Sequence, residues 1–420
     1  MGEKIFTKNK FNQLIMKSTC SFISFWIFIN SSYGYTFKEA INSLQTHDLV
    51  ESINKKAEAL KEEGHNKGSW GDPMIKIAAK NFPIDSLEDD QTPMTGIEFG
   101  ISQKISLTAK FGNIENAFTQ LSKAKKFIAE DTKRQLMKSF WTILINNRKL
   151  DEEIKIINEN LSWISKILKI SKKLYANGKT SQQALLDIQI RKSELEVLAS
   201  NKKYESKEQI DRLNYLLGFN KTSINKTTIP WQIIEKKKIY SAKMKDHREM
   251  NLLSMVQAKE NMLSAAKLAL VPDLTFSLGY TKRSNIDKKG DFVSAMVTFP
   301  LPFSGAKYAS RWQATFEKAS ALKTLNNYKR FKASEVSRIN NELKKIGYEL
   351  KILNEKTIKF AEDSRTVTSK SYGFGNSTYI ELLQSELKLQ SLLLKRSLLK
   401  AKFATQKIAY KYLTGEKLHE

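Results

Sequence analysis

Two long stretches of this sequence lack proline, and that absence constrains the fold more than any other feature. Residues 94–229 and 303–420 contain none, because the seven prolines lie at positions 73, 83, 93, 230, 272, 300 and 302. Glycine is also absent from residues 113–177 and 179–217. Both stretches are rich in Lys, Glu, Leu, Ile and Ala, which favour helices. The sequence therefore predicts unusually long helices.

Apolar residues in both stretches recur at alternating spacings of four and three, which is typical of coiled-coil helices. In the first stretch they are Leu150, Ile154, Ile157, Leu161, Ile164 and Leu168. In the second they are Val336, Ile339, Leu343, Ile346, Leu350 and Leu353. A helix over residues 113–174 would extend roughly 90 Å, and one over residues 304–371 roughly 100 Å, at 1.5 Å per residue. No compact domain needs helices of that length, so we expect them to span a distance.

Short segments with a period of two predict four β-strands. Apolar and polar residues alternate at 97–102, 274–280 and 293–299, and more weakly at 73–79. One such strand alone would equally suit the edge of a soluble sheet, but four with polar loops at 83–93 and 284–290 predict two hairpins of membrane-barrel type. Two hairpins cannot close a barrel, and open strand edges are not tolerated in lipid. Membrane strands would therefore require several protomers to share one barrel.

The sequence also contains an internal duplication. YANGKTSQQALLD, from Tyr175 to Asp187, matches YGFGNSTYIELLQ, from Tyr372 to Gln384. Each half is predicted to contain a helix, two strands, a long helix, a tight turn and a returning helix. The glycine in each turn suits a left-handed position that ends one helix, and the following Ser or Thr suits the N-cap of the next. This order predicts a first repeat at 35–217, a linker at 218–246 and a second repeat at 247–420.

The first 34 residues have the layout of a secretory signal peptide. Lys17 precedes an apolar run at 22–29, and small residues follow as far as Gly34. The run is too short to span a bilayer, and a start at Met16 would leave a leader of ordinary length. The alternative is a buried N-terminal strand or helix. The single cysteine, Cys20, lies in this segment, so the mature chain would contain neither disulfides nor thiolate metal sites.

Basic residues exceed acidic ones by 26, which raises the question of a nucleic-acid or membrane-surface partner. The lysines are interleaved with glutamates along amphipathic segments, and this pattern favours solvated helix faces. The histidines, at positions 47, 65, 247 and 419, lie far apart and have no second ligand at helical spacing. No glycine-rich phosphate loop or Ser/His/Asp arrangement stands out. We therefore predict no metal site, no cofactor and no enzymatic activity.

On its two turn motifs, its duplicated strand pairs and the Leu278-Gly279-Tyr280 sequence, the chain resembles the TolC family of outer-membrane efflux proteins from residue 35 to 415. DPMIKIAAKNFPIDSL at 72–87 and QTPMTGIEFGISQKI at 91–105 look most like the branch that serves heavy-metal resistance-nodulation-division pumps. The resemblance implies a mainly helical fold with a small β part. In that fold a homotrimer forms a periplasmic α-barrel, and each protomer contributes four strands to a shared twelve-stranded outer-membrane barrel.

The resemblance also implies function and site residues. The chain would be the outer-membrane channel of a tripartite efflux system, passively conducting substrates that an inner-membrane pump expels through a periplasmic adaptor protein. The residues implied to contact the adaptor lie in the two turns: Tyr175, Gly178, Lys179, Thr180, Ser181, Tyr372, Gly375, Asn376, Ser377 and Thr378. Acidic residues near the turns ring the closed aperture in the family. That position is Glu381 in the second half, but it is Ala184 in the first, where the nearest carboxylate is Asp187.

Two alternatives remain at this point. The same duct could serve type I protein secretion, and identifying the pump that copurifies with it would distinguish the two kinds of cargo. A basic coiled-coil scaffold or nucleic-acid-binding protein would explain the heptads and the charge, but not the leader, the strands or the duplication. Nucleic-acid binding that weakens steeply with salt would support that second alternative.

Overall fold

A computed structural model describes residues 35–218, 224–235, 246–303 and 305–419 of the chain. The predicted leader lies outside the described residues, as does part of the predicted linker. The helices are α1 (Phe37–Gln45), α2 (Asp48–Gly68), α3 (Lys110–Ala176), α4 (Gln182–Leu217), α5 (Gln232–Glu235), α6 (His247–Leu268), α7 (Ala306–Ile352), α8 (Ile358–Phe374) and α9 (Tyr379–Thr414). The strands are β1 (Met74–Lys80), β2 (Gly96–Ile105), β3 (Leu274–Lys282) and β4 (Phe292–Thr298).

Two very long helices dominate the molecule, as the absence of proline predicts. Helix α3 has 67 residues, which corresponds to roughly 100 Å. Helices α7 and α8 are joined through a π-helical turn, Leu353–Thr357, whose flanking residues keep right-handed helical geometry. Together they form one continuous helix of similar length. In both long helices the predicted heptad residues are buried or half-buried, which confirms the predicted packing faces.

Elements recur in the same order in the two halves of the described chain. Helix α2, strands β1 and β2, helix α3, a turn and helix α4 are followed by α6, β3, β4, α7–α8, a turn and α9. Helix α3 packs against α2, α4, α6 and α9, and α9 packs against α7 and α8. The precise boundaries of the two repeats stay a prediction.

The four strands form one antiparallel sheet in the order β1-β2-β3-β4. The outer pairs are the two predicted hairpins, and the central pair joins the two halves of the chain, with Gly100 opposite Gly279. Within the described part of the chain, β1 and β4 each have one edge without a partner strand. Helices α3 and α7 begin shortly after β2 and β4, so the sheet lies at one end of the long helices.

The largest apolar cluster lies part-way along the helices and surrounds Phe140 and Trp141, which are fully buried. It collects side chains from α1, α3, α4, α5, α9 and the chain end at Leu418. The indole Nε1 of Trp141 donates to the backbone oxygen of Leu418 at 2.8 Å. Arg134 donates to three backbone oxygens at the end of α9, including that of Glu416 at 2.9 Å. These contacts anchor the C-terminal helix against α3.

Two features are absent from the described residues. None of their helices combines the length and the apolar character needed to cross a bilayer. None of their His, Cys, Asp and Glu side chains form a group of three or more suited to a metal ion.

Candidate functional site

The sheet has two chemically different faces, and the strand register determines which residues share each face. Phe99 lies opposite Tyr280 and next to Ile77, so alternate residues of neighbouring strands form one apolar surface. That face carries Ile75, Ile77, Ile97, Phe99, Ile101, Leu274, Phe276, Leu278, Tyr280, Val293, Ala295 and Val297. The other carries Lys76, Lys80, Glu98, Ser102, Lys104, Thr275, Ser277, Thr281, Ser294 and Thr298. Gln103 and Lys282 are polar exceptions on the apolar face, and Met74, Phe292 and Met296 are apolar exceptions on the polar face.

Much of the apolar face is exposed in the single chain. Ile75 is 80% exposed and Val293 78% exposed, and every residue of the edge strand β4 is exposed. An apolar surface of this extent beside two open strand edges is typical of a membrane or protein contact. A sheet with lipid on one side and water on the other would show this alternation.

Ion pairs organise the polar face. The Glu98 carboxylate pairs with Lys80 and lies 3.5 Å from the ammonium of Lys76. Just before β3, at the end of the sheet near the helices, Asp273 pairs with Lys104 at 3.2 Å and with Lys110 at 2.6 Å. Each carboxylate is nearly buried between two lysines, so the face is charged but its acidic groups are neutralised.

At the other end of the helices, the chain reverses at two turns with the same backbone structure. Gly178 and Gly375 have φ of +71° and +84°, the left-handed conformation that favours glycine. In the first turn, the Lys179 amide donates to the Leu174 oxygen at 2.8 Å. In the second, the Asn376 amide donates to the Ser371 oxygen at 2.9 Å. The glycine amides donate to the oxygens of Tyr175 and Tyr372, at 3.0 and 2.9 Å. Both turns are therefore Schellman motifs, which confirms the predicted helix ends.

The helix starts after the turns are capped as predicted, but not identically. The Ser181 hydroxyl accepts from the Ala184 amide at 3.2 Å, and the Thr378 hydroxyl accepts from the Glu381 amide at 3.3 Å. Only in the second turn does the residue three positions on return a bond, since Glu381 accepts from the Thr378 amide at 2.9 Å. This is a complete capping box. Ala184 has no polar side chain and is fully buried, so the first turn has a single cap.

The two turns lie against each other in one apolar cluster, which we call the tip cluster and which contains Ile164, Leu174, Ile188, Tyr372 and Leu382. The Tyr372 hydroxyl lies 2.8 Å from that of Ser171 on α3. Tyr379, at the start of α9, donates to the Asp187 carboxylate on α4, and this hydrogen bond raises the pKa of Tyr379. The structure thus brings the two sequence motifs together.

The predicted site residues differ in exposure. In the first turn Gly178, Lys179 and Ser181 are exposed, Tyr175 is 45% exposed, and Thr180 is half-buried. In the second turn Gly375, Asn376 and Thr378 are exposed and Ser377 is half-buried, while Tyr372 is buried at 3% exposure. Of the predicted aperture carboxylates, Glu381 is exposed and Asp187 is half-buried. Their roles in docking and at an aperture stay predictions.

Sequence reasoning missed a buried polar group behind the tip. Glu386 on α9 is 2% exposed and lies 3.4 Å from the Arg365 guanidinium on α8, while Arg191 on α4 donates to the amide oxygen of Gln390. Burial raises the pKa of the Glu386 carboxyl, and the charges of Arg365 and Arg191 oppose that shift. One signal was available: Glu386 lies between Leu382 and Leu389 at heptad spacing, where a charge is unexpected.

No protein-family model matches the sequence, and no curated protein sequence matches it significantly. The fold, in contrast, is found among solved structures. The outer-membrane protein VceC of Vibrio cholerae superposes with a TM-score of 0.75 at 14% identity, over 91% of this chain and 96% of that one. The CmeC outer-membrane channel of Campylobacter jejuni gives a TM-score of 0.70 at 13% identity, over 90% and 85% of the two chains.

A third similar structure is the open state of the MtrE outer-membrane channel of Neisseria gonorrhoeae, with a TM-score of 0.72 and 10% identity over 91% of this chain and 89% of that one. These TM-scores are too close together to favour one branch of such channels, so the predicted heavy-metal branch stays a prediction. The predicted mainly helical fold with a small β part is confirmed, because the match covers 91% of this chain, whose described part has long helices and a four-stranded sheet. The chain therefore shares the TolC-type fold of these outer-membrane channels.

Proposed function

We propose that the protein is the exit duct of a tripartite efflux system, located in the bacterial outer membrane and extending into the periplasm. Three copies share one twelve-stranded barrel, and their helices continue it as a periplasmic tunnel. The duct passively conducts substrates that an inner-membrane pump expels, and a periplasmic adaptor protein docks at the helical tip. The duct itself carries out no chemistry.

One observation supports this proposal most strongly. In the described chain, the sheet has an exposed apolar face and two open edges, and it lies at one end of the long helices. The chain does not reverse until the other end of those helices, about 100 Å away. In a bilayer each open edge needs a neighbouring strand, because its backbone N–H and C=O groups find no water there. A second copy supplies that strand if β4 of one protomer pairs with β1 of the next. Four strands per chain and three copies give twelve strands.

The first experiment tests the assembly and the two faces together. The mass of the detergent-solubilised protein should correspond to three copies. Phe276→Lys on the apolar face should destabilise the assembly by about 2–4 kcal/mol if the site lies near the bilayer midplane. Ser277→Lys is the matched control, because it places the same side chain one residue away on the opposite face. Equal tolerance of the two lysines, or a stable folded monomer, would contradict the proposal.

Adaptor docking at the turns is supported by their exposed polar groups, which lie at the end of the helices far from the sheet. Gly178, Lys179 and Ser181 of the first turn lie close to the second, where the Lys179 side chain lies 3.7 Å from the position of a Cβ on Gly375. The two turns of each protomer thus form one continuous surface. Three copies would present three such surfaces around the axis, and the carboxylates of Glu381 and Asp187 would lie near the opening.

A further inference from the structure

We propose that the polar face of the sheet carries a basic band that makes this end of the duct favour anionic solutes. This inference rests on the proposed function, since it requires the polar face to line a channel. It concerns a property that the fold does not dictate, because the same sheet could carry either sign of charge. The band consists of Lys76, Lys80 and Lys104 on the sheet and Lys110 at the start of α3, with the two carboxylates that they neutralise.

The first part of the band is asymmetric in exposure. Lys76 and Lys80 have side chains that are 59% and 39% exposed, while the side chain of Glu98 is only 10% exposed. Glu98 on β2 lies opposite Ala78 of β1, between the two lysines that β1 carries, so its negative charge is covered by them. A solute in the lumen would meet the ammonium groups and not the carboxylate.

The glycine at position 279 explains why Glu98 can lie so close to the sheet. Gly100 on β2 faces Gly279 on β3, and both lie beside Glu98 on the polar face. A Cβ at position 279 would come within 2.6 Å of Glu98 Oε1, and one at position 100 within 3.8 Å of it. The missing side chain at position 279 leaves the space that the carboxylate occupies, whereas a Cβ at position 100 would make only ordinary van der Waals contact with it. A larger residue at 279 would push the carboxylate towards solvent and reduce the basic character of the face.

The second part of the band repeats this arrangement at the helical end of the sheet. Asp273 is buried between Lys110 and Lys104, and Lys104 is largely exposed on the polar face. Each part therefore contains two lysines and one carboxylate. The excess is about two positive charges per protomer and about six in a trimer, and rings of basic residues favour anions in other pores.

Acidic side chains in other parts of the chain would favour cations, so the positive charge of the band has to exceed their effect. The β1–β2 loop carries Asp85, Glu88, Asp89 and Asp90 beyond the end of the strands, and the tip carries Glu381 and Asp187. Salt screens charges beyond roughly 8 Å at physiological ionic strength, so the distant tip does not cancel the band. The loop lies beyond the strand ends, whereas the band lies on the strands and at the start of α3.

Reversal potentials of the full-length protein in planar bilayers under a KCl gradient test the proposal. Wild-type channels should prefer chloride, and the double variant Lys76→Ser and Lys80→Ser should lower the chloride-to-potassium permeability ratio by about two-fold or more. Glu98→Gln should raise the ratio, which gives a second variant of opposite sign if the double variant does not assemble. Lys282→Ser is the control, since Lys282 lies on the apolar face.

The outcomes separate the two proposals. Complete absence of channel activity from folded wild-type protein would overturn the proposed function. Channels whose permeability ratio is unchanged by the lysine substitutions, or is unchanged or lowered by Glu98→Gln, would overturn the basic band and leave the duct. An equal shift with Lys282→Ser would also overturn it, because the effect would then not belong to the polar face.

Discussion

The two turns at the helical tip have the same backbone but different side-chain support. Each ends a helix with a left-handed glycine and starts the next with a hydroxyl N-cap. In the second turn, Tyr372 is buried and Glu381 completes the capping box. At the equivalent positions of the first, Tyr175 is 45% exposed and Ala184 is apolar. A duplicated motif therefore preserves the chain reversal, while the stabilising contacts have become unequal.

This difference indicates which turn anchors the tip. The second turn is tied to α3 through Tyr372 and Ser171, and its Tyr379 reaches Asp187 on α4. The first turn contributes Asp187 to that contact but has no buried aromatic of its own. We therefore expect the second turn to be the more stable one and the first to depend on it.

The largest difference between the turns should come from their tyrosines. Tyr372→Ala empties a buried site in the tip cluster and should cost about 3–5 kcal/mol of local stability, as truncation of large buried aromatics does. Tyr175→Ala removes a ring that is already 45% exposed and should therefore cost much less, about 1 kcal/mol. Hydrogen exchange of peptides covering 164–190 and 365–390, measured on detergent-solubilised protein, provides the comparison.

Tyr372→Phe refines that experiment because it keeps the ring and removes only the hydroxyl that meets Ser171 at 2.8 Å. A buried neutral hydrogen bond contributes about 1 kcal/mol, so this variant should recover most of the loss. Similar effects for alanine at positions 175 and 372 would show that the second turn is not the anchor.

The glycines should behave alike, in contrast to the tyrosines. A β-branched residue in the left-handed region costs about 1–2 kcal/mol, so Gly178→Val and Gly375→Val should each lower local stability by that amount. The same exchange experiment checks this. Because the turns lie far from the sheet, the proposed trimers should persist, but the proposed efflux should fail in cells if the turn surface docks an adaptor. Normal efflux in both variants would remove the turns from the docking site, and a loss of trimers would place the defect in assembly.

Sequence patterns predicted the elements well because the patterns are local. Absence of proline, heptad spacing and period-two alternation each depend on neighbouring residues, and the structure confirms long helices, four strands and the glycine–hydroxyl turns. The pairing of β2 with β3 and the burial of Tyr372 depend on elements far apart in the sequence. Tyr175 and Tyr372 occupy equivalent motif positions, so no local pattern could predict which of them is buried.

The same limit applies to charged groups. Glu386 could have been noticed at its heptad position, but its partner Arg365 lies on another helix and Arg191 comes from the other half of the chain. On the sheet, Lys76 and Glu98 are separated by a loop, and only the register brings them together. Predicting such pairs requires the tertiary arrangement as well as the periodicity.

The smallest expected effect concerns the caps, and it also separates two roles for Glu381. Thr378→Ala and Ser181→Ala each remove an N-cap and should cost about 1 kcal/mol at their helix starts. Glu381→Gln keeps a side chain that can complete the capping box but removes the charge, so the exchange of α9 should stay close to that of wild type.

Single-channel recording of Glu381→Gln, alone and with Asp187→Asn, then reports on the charge itself. Carboxylates that ring an aperture attract cations, so their neutralisation should weaken block by multivalent cations. Thr378→Ala is the matched control, because it weakens the cap and leaves the carboxylate charged. If block weakens with Glu381→Gln and not with Thr378→Ala, the charge acts at the opening. If neither the single nor the double variant changes block while Thr378→Ala destabilises α9, Glu381 serves only to begin that helix. The second turn would then differ from the first in stability and not in ion passage.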